Sequence, residues 1–186
     1  MNQTLIIVDI ETTGLDPATA EIIEIGAILV DRETGLSLGT LETKISPTSI
    51  ETAEPQALAV NGYNAAEWEG APDLKTAMTK FAEFSRGATL MAYNVTFDYG
   101  FLKEAFRKTG VQDTMRWQRL DLLTLAWMKL PASTSYSLKN VCIALGLEPE
   151  STIHRGINGA MKAYEVYQAL TAKEPSAPAS PIVGPS

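Results

Sequence analysis

The alternation of hydrophobic and polar positions divides the chain into a strand-rich first part and a helix-rich second part. Residues 5–8 are consecutive large apolar residues, of the kind that a sheet buries on both faces. Two further apolar segments, 22–30 and 36–46, flank a short polar loop and predict an antiparallel meander of three strands. Residues 88–93 and 115–120 predict a fourth and a fifth strand.

Helical spacing of apolar residues dominates the rest of the chain. Between Asp73 and Gly87, apolar residues recur at intervals of three and four, which is the pattern of one helix face. Similar patterns predict helices at 97–108, 122–130, 138–145 and 157–172. Helices that alternate with the later strands are typical of an α/β fold, here with a mixed five-stranded sheet flanked by helices.

The composition is typical of one globular domain and adds constraints on function. The 186 residues include 22 acidic and 15 basic side chains, a formal net charge of −7. This charge excludes a strongly basic protein that coats nucleic acid, but it leaves open a nuclease that works with divalent cations. The single cysteine, Cys142, suits a reducing compartment, so we expect a cytoplasmic protein. No apolar run is long enough to span a membrane, and we expect no membrane association.

The end of the chain differs in composition from the rest. Residues 174–186 are rich in Pro, Ala and Ser, which predicts a disordered tail after a folded domain of residues 1–173.

Two acidic residues at the end of the first predicted strand are the strongest indication of chemistry. Asp9 and Glu11 are two positions apart, so in a strand both carboxylates point to the same side. Neighbouring carboxylates at the end of a buried strand are costly unless a cation neutralises them, and hard oxygen ligands suit Mg²⁺ or Mn²⁺. The alternative is that Asp9 caps a loop while Glu11 is a solvated surface residue. A nucleotide hydrolase with a phosphate-binding loop is excluded, because the chain contains no Gly-Lys pair.

Two further residues are weaker candidates when each is considered alone. Asp98 follows the fourth predicted strand at the first turn of a helix, where an acid is also favoured by the helix dipole. His154 is the only histidine, and it lies just before the last predicted helix. A loop histidine is commonly just solvated, but the ordinary pKa of histidine, about 6.5, also suits a general base.

Together these segments resemble the DEDD 3′→5′ exonucleases. The segment Asp9-Ile10-Glu11-Thr12-Thr13-Gly14 resembles the first motif of that family, Asp-x-Glu-Thr-Thr-Gly. The segment from Asn94 to Asp98, with Phe97 before the acid, resembles the second motif, and His154 is similar to the start of the third. A histidine in that motif marks the DEDDh, or DnaQ-like, subclass.

The resemblance implies a ribonuclease H-like fold and a site with two Mg²⁺ or Mn²⁺ ions. Asp9 would contact both ions, Glu11 would bind one, and Asp98 would hold a metal edge or its water. His154 would take a proton from the attacking water. The implied product is a nucleoside 5′-monophosphate released from a single-stranded 3′ end, with DNA somewhat favoured over RNA.

The resemblance also implies substrate contacts and a partner. The implied partner beyond the nucleic acid is a DNA polymerase subunit. Asn61 stands where the family commonly has His. The residues implied to contact substrate are Thr12, Gly14, Leu15, Asn61, Tyr63, Asn94 and Phe97.

One position departs from the family pattern. The family has a fourth acid five residues after the motif histidine, and this chain has Gly159 there. Asn158 is rotated by about 100° around a helix and Glu165 by about 240°, so neither replaces that acid. The sequence offers no structural reason for a helical glycine, unless Asn158 and Gly159 form a turn and the helix begins later.

Three interpretations of Gly159 remain open from the sequence. The position is altered in an otherwise active enzyme, or the enzyme keeps weak activity with a water in place of the acid. The third interpretation is a non-catalytic module that binds nucleic acid or a polymerase without cutting.

Overall fold

The computed structural model describes residues 3–131 and 135–172, so the predicted tail lies outside the described residues. Within those ranges, none of the helices combines the length and the apolar character needed to cross a membrane. The strands are β1 (Thr4–Thr12), β2 (Ile22–Asp31), β3 (Ser37–Lys44), β4 (Thr89–Ala92) and β5 (Arg119–Asp121). The helices are α1 (Pro55–Asn61), α2 (Leu74–Phe84), α3 (Val95–Thr109), α4 (Leu122–Lys129), α5 (Leu138–Ala144) and α6 (Gly156–Thr171), with a short 3₁₀ turn at Ile50–Thr52.

The strands form one mixed five-stranded sheet in the order β3-β2-β1-β4-β5. The first three strands pair antiparallel, whereas β4 runs parallel to β1 and β5 runs parallel to β4. The α/β fold predicted from the sequence, with an antiparallel first half and flanking helices, is therefore confirmed.

Strand β1 lies at the centre of the sheet and divides its side chains between two cores. Ile6, Val8 and Ile10 pack with residues of α2 and α3. Leu5 and Ile7 pack on the other face with residues of α4, α5 and α6. Because side chains alternate along a strand, Asp9 and Glu11 lie on the same face as α6.

The observed elements differ from the predicted ones mainly at their ends. Strand β1 continues to Thr12, so it extends past the predicted apolar run and includes both Asp9 and Glu11, as their strand spacing predicts. The fifth strand exists but is displaced from 115–120 to Arg119–Asp121, because the short β4 offers only Leu90–Ala92 for pairing. Helix α1 was not predicted, since its small and polar residues carry no helical apolar stripe.

Helix α6 approaches the sheet without a side chain between the two backbones. A Cβ atom added at Gly26 of β2 would overlap the backbone of Gly156 and Ile157 at the start of α6. A Cβ added at Gly156 would lie 2.7 Å from the Gly26 nitrogen and 3.0 Å from the Asp9 carbonyl oxygen. Both glycines are therefore needed for this contact, which brings residues 154–159 next to β1.

Substitution of Gly26 tests this packing. We expect Gly26→Ala to lower the free energy of unfolding by about 2–3 kcal/mol, because the new methyl group must push α6 away from the sheet. Urea denaturation measures the change. Gly39→Ala is the matched control in β3, where the added Cβ would meet Phe84 at an ordinary 3.6 Å. Equal stabilities of the two variants would contradict the close contact.

Candidate active site

A cleft opens at the end of β1, where the predicted acidic pair lies. Its volume is about 320 Å³, and its walls come from β1, the turn after β1, α1, the start of α3 and the loop before α6. The lining residues are Asp9, Ile10, Glu11, Thr12, Leu15, Glu54, Gln56, Ala57, Val60, Asn61, Phe97 and His154.

The predicted acids approach this cleft from two elements. Asp9 and Glu11 come from β1, and Glu11 is only 7% exposed. Asp98 comes from the first turn of α3 and is 3% exposed. One of its oxygens, Oδ1, accepts the backbone N–H of Ile10 at 3.2 Å, which ties the start of α3 to β1.

Burial and mutual repulsion make these carboxylates hard to ionise. Burial, then the charges of Asp98 and Glu11, raise the pKa of Asp9 well above its ordinary value. Burial, then the charge of Glu150, raises the pKa of Glu11 to about 8. Burial also raises the pKa of Asp98 to about 7, although backbone N–H groups partly oppose the rise. The site is therefore short of positive charge.

The chemistry of these side chains fits a divalent cation. As the side chains stand in residues 3–131 and 135–172, no three His, Cys, Asp or Glu residues converge closely enough to hold an ion. The carboxylates are nevertheless hard oxygen donors: Glu11 and Asp98 are buried, Asp9 is partly buried, and like charge raises the pKa of each. A cation would remove the repulsion that raises their pKa values, at the cost of small side-chain rotations.

His154 reaches the cleft from the loop that precedes α6. Its backbone N–H donates to the Val60 carbonyl at 3.0 Å, and the Arg155 guanidinium donates to the Asn61 carbonyl at 2.8 Å. Both bonds hold the loop against α1. The His154 side chain is 46% exposed, and its Nδ1 lies 3.8 Å from Oε2 of Glu150.

The structure gives a reason for glycine at position 159 that the sequence did not. Helix α6 begins at Gly156, so the helix predicted from residue 157 is confirmed, and the alternative of a turn at Asn158 and Gly159 is excluded. A Cβ added at Gly159 would lie 2.5 Å from Cγ of Asp9 and closer still to one carboxylate oxygen. The Asp9 carboxylate therefore fills the space that a side chain at position 159 would take.

Comparison with known proteins identifies the family. The RNase_T family, described as exonuclease, matches residues 6–167 of the chain. The chain belongs to this exonuclease family. Among curated relatives, the PolC-type DNA polymerases III of Thermotoga petrophila and Thermotoga maritima are each 32% identical, over 89% and 88% of this chain. The chain spans only 12% of either relative.

A solved structure has the same fold as this chain. The zinc-bound form of an Escherichia coli ExoI–ssDNA complex superposes with a TM-score of 0.76 at 20% identity. The match covers 91% of this chain and 40% of that chain. The ribonuclease H-like class expected from the resemblance is therefore confirmed.

The residues expected to contact substrate are divided between the cleft and its surroundings. Thr12, Leu15, Asn61 and Phe97 line the cleft, and Gly14 lies in the turn between Thr12 and Leu15. Added at Gly14, a Cβ atom would lie 2.5 Å from Oε1 of Glu54. The side chain of Asn61 is held by the chain itself, because its Nδ2 donates to the Thr12 carbonyl at 2.9 Å.

Two of these residues lie outside the lining of the cleft. Tyr63 packs on Trp68 with ring centroids 5.0 Å apart and borders a neighbouring pocket. Asn94 has a left-handed backbone with φ of 66°, and its N–H donates to Asp121 at 3.0 Å.

Two acidic residues near the candidate site were missed by sequence reasoning. Glu24 pairs with Glu11 across β1 and β2 and has no exposed surface. Among the described residues, neither Glu24 oxygen has a hydrogen-bond partner, and Nη1 of Arg155 stands 4.0 Å away. Glu150 lies in the loop before α6, with a side chain only 12% exposed. Glu24 lies in the segment IIEIG, which the sequence analysis interpreted only as a buried strand. Glu150 lies in a loop, where no regular spacing of residues indicates which side chains face a site.

Proposed function

We propose that this exonuclease domain removes nucleoside 5′-monophosphates from the 3′ end of single-stranded nucleic acid, with the support of two Mg²⁺ or Mn²⁺ ions. The observation that carries the proposal is that Asp9, Glu11 and His154 line one cleft, while Asp98 at the start of α3 is joined to the same strand by the hydrogen bond from the Ile10 N–H. Buried carboxylates beside a histidine are the groups that metal-assisted phosphodiester hydrolysis requires.

In this proposal Asp9, Glu11 and Asp98 hold the metal ions. The charges of both Asp98 and Glu11 raise the pKa of Asp9, so Asp9 interacts with both of the other acids. It is therefore the residue best placed to serve both ions. When bound, the ions supply positive charge to the phosphate and lower the pKa of a water molecule.

His154 is the proposed general base. Its Nδ1 faces Glu150, which leaves Nε2 free to accept the proton of the attacking water. The carboxylate at 3.8 Å would then stabilise the protonated ring. The hydrogen bond from the backbone of His154 to Val60 keeps the ring at the mouth of the cleft.

The shape of the cleft favours a single terminal nucleotide. A volume of about 320 Å³ is at the lower end of the range for ligand pockets. Leu15, Val60 and Phe97 offer apolar surface beside the acids, which suits the face of a base. A paired end would first have to open, at the cost of unpairing and unstacking its terminal base.

The cellular setting is also part of the proposal. The similar stretches in PolC-type DNA polymerases III suggest action beside a DNA polymerase, in the cytoplasm of a cell. DNA is accordingly the favoured substrate over RNA.

A non-catalytic module is the second candidate, and Gly159 is the observation in its favour. A domain that lacks one family acid could bind a 3′ end or a polymerase without cutting. The retention of Asp9, Glu11, Asp98 and His154 favours the enzyme.

A nuclease assay separates the candidates. Single-stranded DNA and RNA oligonucleotides, labelled at the 3′ or the 5′ end, are incubated with the protein in Mg²⁺, Mn²⁺ or EDTA. We expect labelled mononucleotide from the 3′-labelled strand, a shortening ladder from the 5′-labelled strand, and neither in EDTA. Binding without shortening in either metal would instead support the non-catalytic module.

A further inference from the structure

The loop that carries His154 is joined to the end of helix α1 by two hydrogen bonds. The backbone N–H of His154 donates to the Val60 carbonyl at 3.0 Å, and Nη1 of Arg155 donates to the Asn61 carbonyl at 2.8 Å. The last four carbonyl groups of a helix have no partner within it, so Val60 and Asn61 need donors from outside. Both of these residues also line the cleft. The two bonds therefore fix the loop to one wall of the cleft.

The guanidinium of Arg155 is held on its other sides by residues of two further segments. Its Nη2 donates to Oε2 of Glu67 at 2.9 Å, and its central carbon lies 5.2 Å from the centre of the buried Trp68 ring. On strand β2, Oε2 of the fully buried Glu24 stands 4.0 Å from Nη1. Because a guanidinium presents its donors in one fixed plane, these contacts together favour a single position of the Arg155 side chain.

The ring of His154 is held much less firmly than the side chain next to it. The ring side chain is 46% exposed, and its Nδ1 lies 3.8 Å from Oε2 of Glu150, which is longer than a hydrogen bond. The place of the ring at the cleft is therefore set mainly by the backbone that carries it, and that backbone is fixed at Arg155. A catalytic group displaced by about 1 Å can cost about 10²-fold in rate, so this anchor bears on catalysis.

We propose that Arg155 is the positioning residue of the general base, because its guanidinium holds the loop of His154 against the wall of the cleft that α1 forms. This inference rests on the proposed function, since it requires that His154 takes the proton of the attacking water. In this role Arg155 acts through His154 and not on the substrate. The anchor keeps the base at a constant distance from a terminal nucleotide that rests against Val60 and Asn61.

A purely structural role is the alternative, because Arg155 also brings positive charge to Glu24. Neither Glu24 oxygen has a hydrogen-bond partner among the described residues, so loss of the guanidinium would leave a buried carboxylate without that cation. Arg155→Lys separates the two roles. Lysine keeps a positive charge beside Glu24, whereas its ammonium group cannot reproduce the planar fork that spans Asn61 and Glu67.

A double-mutant cycle on nucleotide release from single-stranded DNA in Mn²⁺ tests the proposal. We expect His154→Ala to lower kcat about 10²-fold or more and Arg155→Lys to lower it about ten-fold, with KM changed much less. In the His154→Ala background, Arg155→Lys should change kcat by less than about two-fold, because no base is left to misplace. Arg107→Lys is the matched control, since its guanidinium donates twice to Glu104 on the exposed surface of α3, and it should keep the kcat of the unaltered chain.

A second measurement follows the ring without any cleavage. His154 is the only histidine of the chain, so in protein without a histidine tag the Cε1–H signal in an NMR spectrum reports on this ring alone. In EDTA we expect a sharp signal, displaced from its position in urea, for the unaltered chain and for Arg107→Lys. Arg155→Lys should broaden this signal or move it toward the unfolded position. Glu67→Ala removes one acceptor of the guanidinium and should have the same effect to a smaller degree, so it replaces Arg155→Lys if that variant does not fold.

The outcomes distinguish positioning of the base from general stability. Equal losses of kcat from Arg155→Lys in the two backgrounds would overturn the inference, because Arg155 would then act independently of His154. An unchanged kcat and an unchanged ring signal in Arg155→Lys would overturn it as well. If the unaltered chain does not cleave, or if His154→Ala cleaves equally fast, the proposed function itself fails, and the ring signal still shows whether Arg155 holds the loop.

Discussion

Replacement of Asp9 by Asn is expected to lower the rate of 3′-end cleavage by about 10³-fold or more. Asp9 is the acid whose pKa responds to both Asp98 and Glu11, so its loss removes the group shared by both proposed ions. The same substitution should stabilise the metal-free protein, since an amide stays neutral beside the neighbouring acids without having to bind a proton. Nucleotide release and urea denaturation in EDTA measure the two effects.

Asp16→Asn is the control for this substitution. Asp16 is exposed in the turn after β1, and its Oδ1 accepts the backbone N–H of Ala18 at 2.9 Å, a bond that asparagine can keep. We expect that variant to retain the cleavage rate and the stability of the unaltered chain. Undiminished cleavage by Asp9→Asn would refute the role of Asp9, whatever its effect on stability.

The central part of the site could be predicted because it depends on local geometry. The apolar run of β1 and the two-residue spacing of Asp9 and Glu11 are sufficient to put both carboxylates on one face of the sheet. The position of Asp98 in the first turn of a helix likewise follows from the strand and helix patterns around it. The family resemblance then linked these segments to His154.

The rest of the site depends on contacts between distant segments, which no local pattern carries. Gly26 and Gly156 read as ordinary glycines, although together they allow α6 to rest on the backbone of β2. The close packing of α6 on β2 places the Asp9 carboxylate beside Gly159. This contact between distant segments is the reason that the sequence alone did not explain a helical glycine at that position. Glu150 could be recognised only once the structure placed it beside His154, in the loop that is hydrogen-bonded to α1.

The stability of the metal-free protein should fall as the pH rises from 5 to 8. Folding raises the pKa of Glu11 from 4.5 to about 8 and that of Asp98 from 3.8 to about 7. Between the unfolded and the folded pKa values, the folded chain therefore binds more protons than the unfolded chain. Stability is then complete below the unfolded values and is lost as the pH rises through the folded values.

The expected loss is large, because a pKa raised by one corresponds to about 1.4 kcal/mol. The shift of Glu11 alone corresponds to about 4 kcal/mol between pH 5 and pH 8. Urea denaturation in EDTA across this range measures it, and Glu11→Gln should flatten the curve. Saturating Mn²⁺ should restore the stability at pH 8, because the cation replaces the protons that the carboxylates lose. A metal-free protein that becomes more stable toward pH 8 would show that these acids are not held against one another as the structure has them.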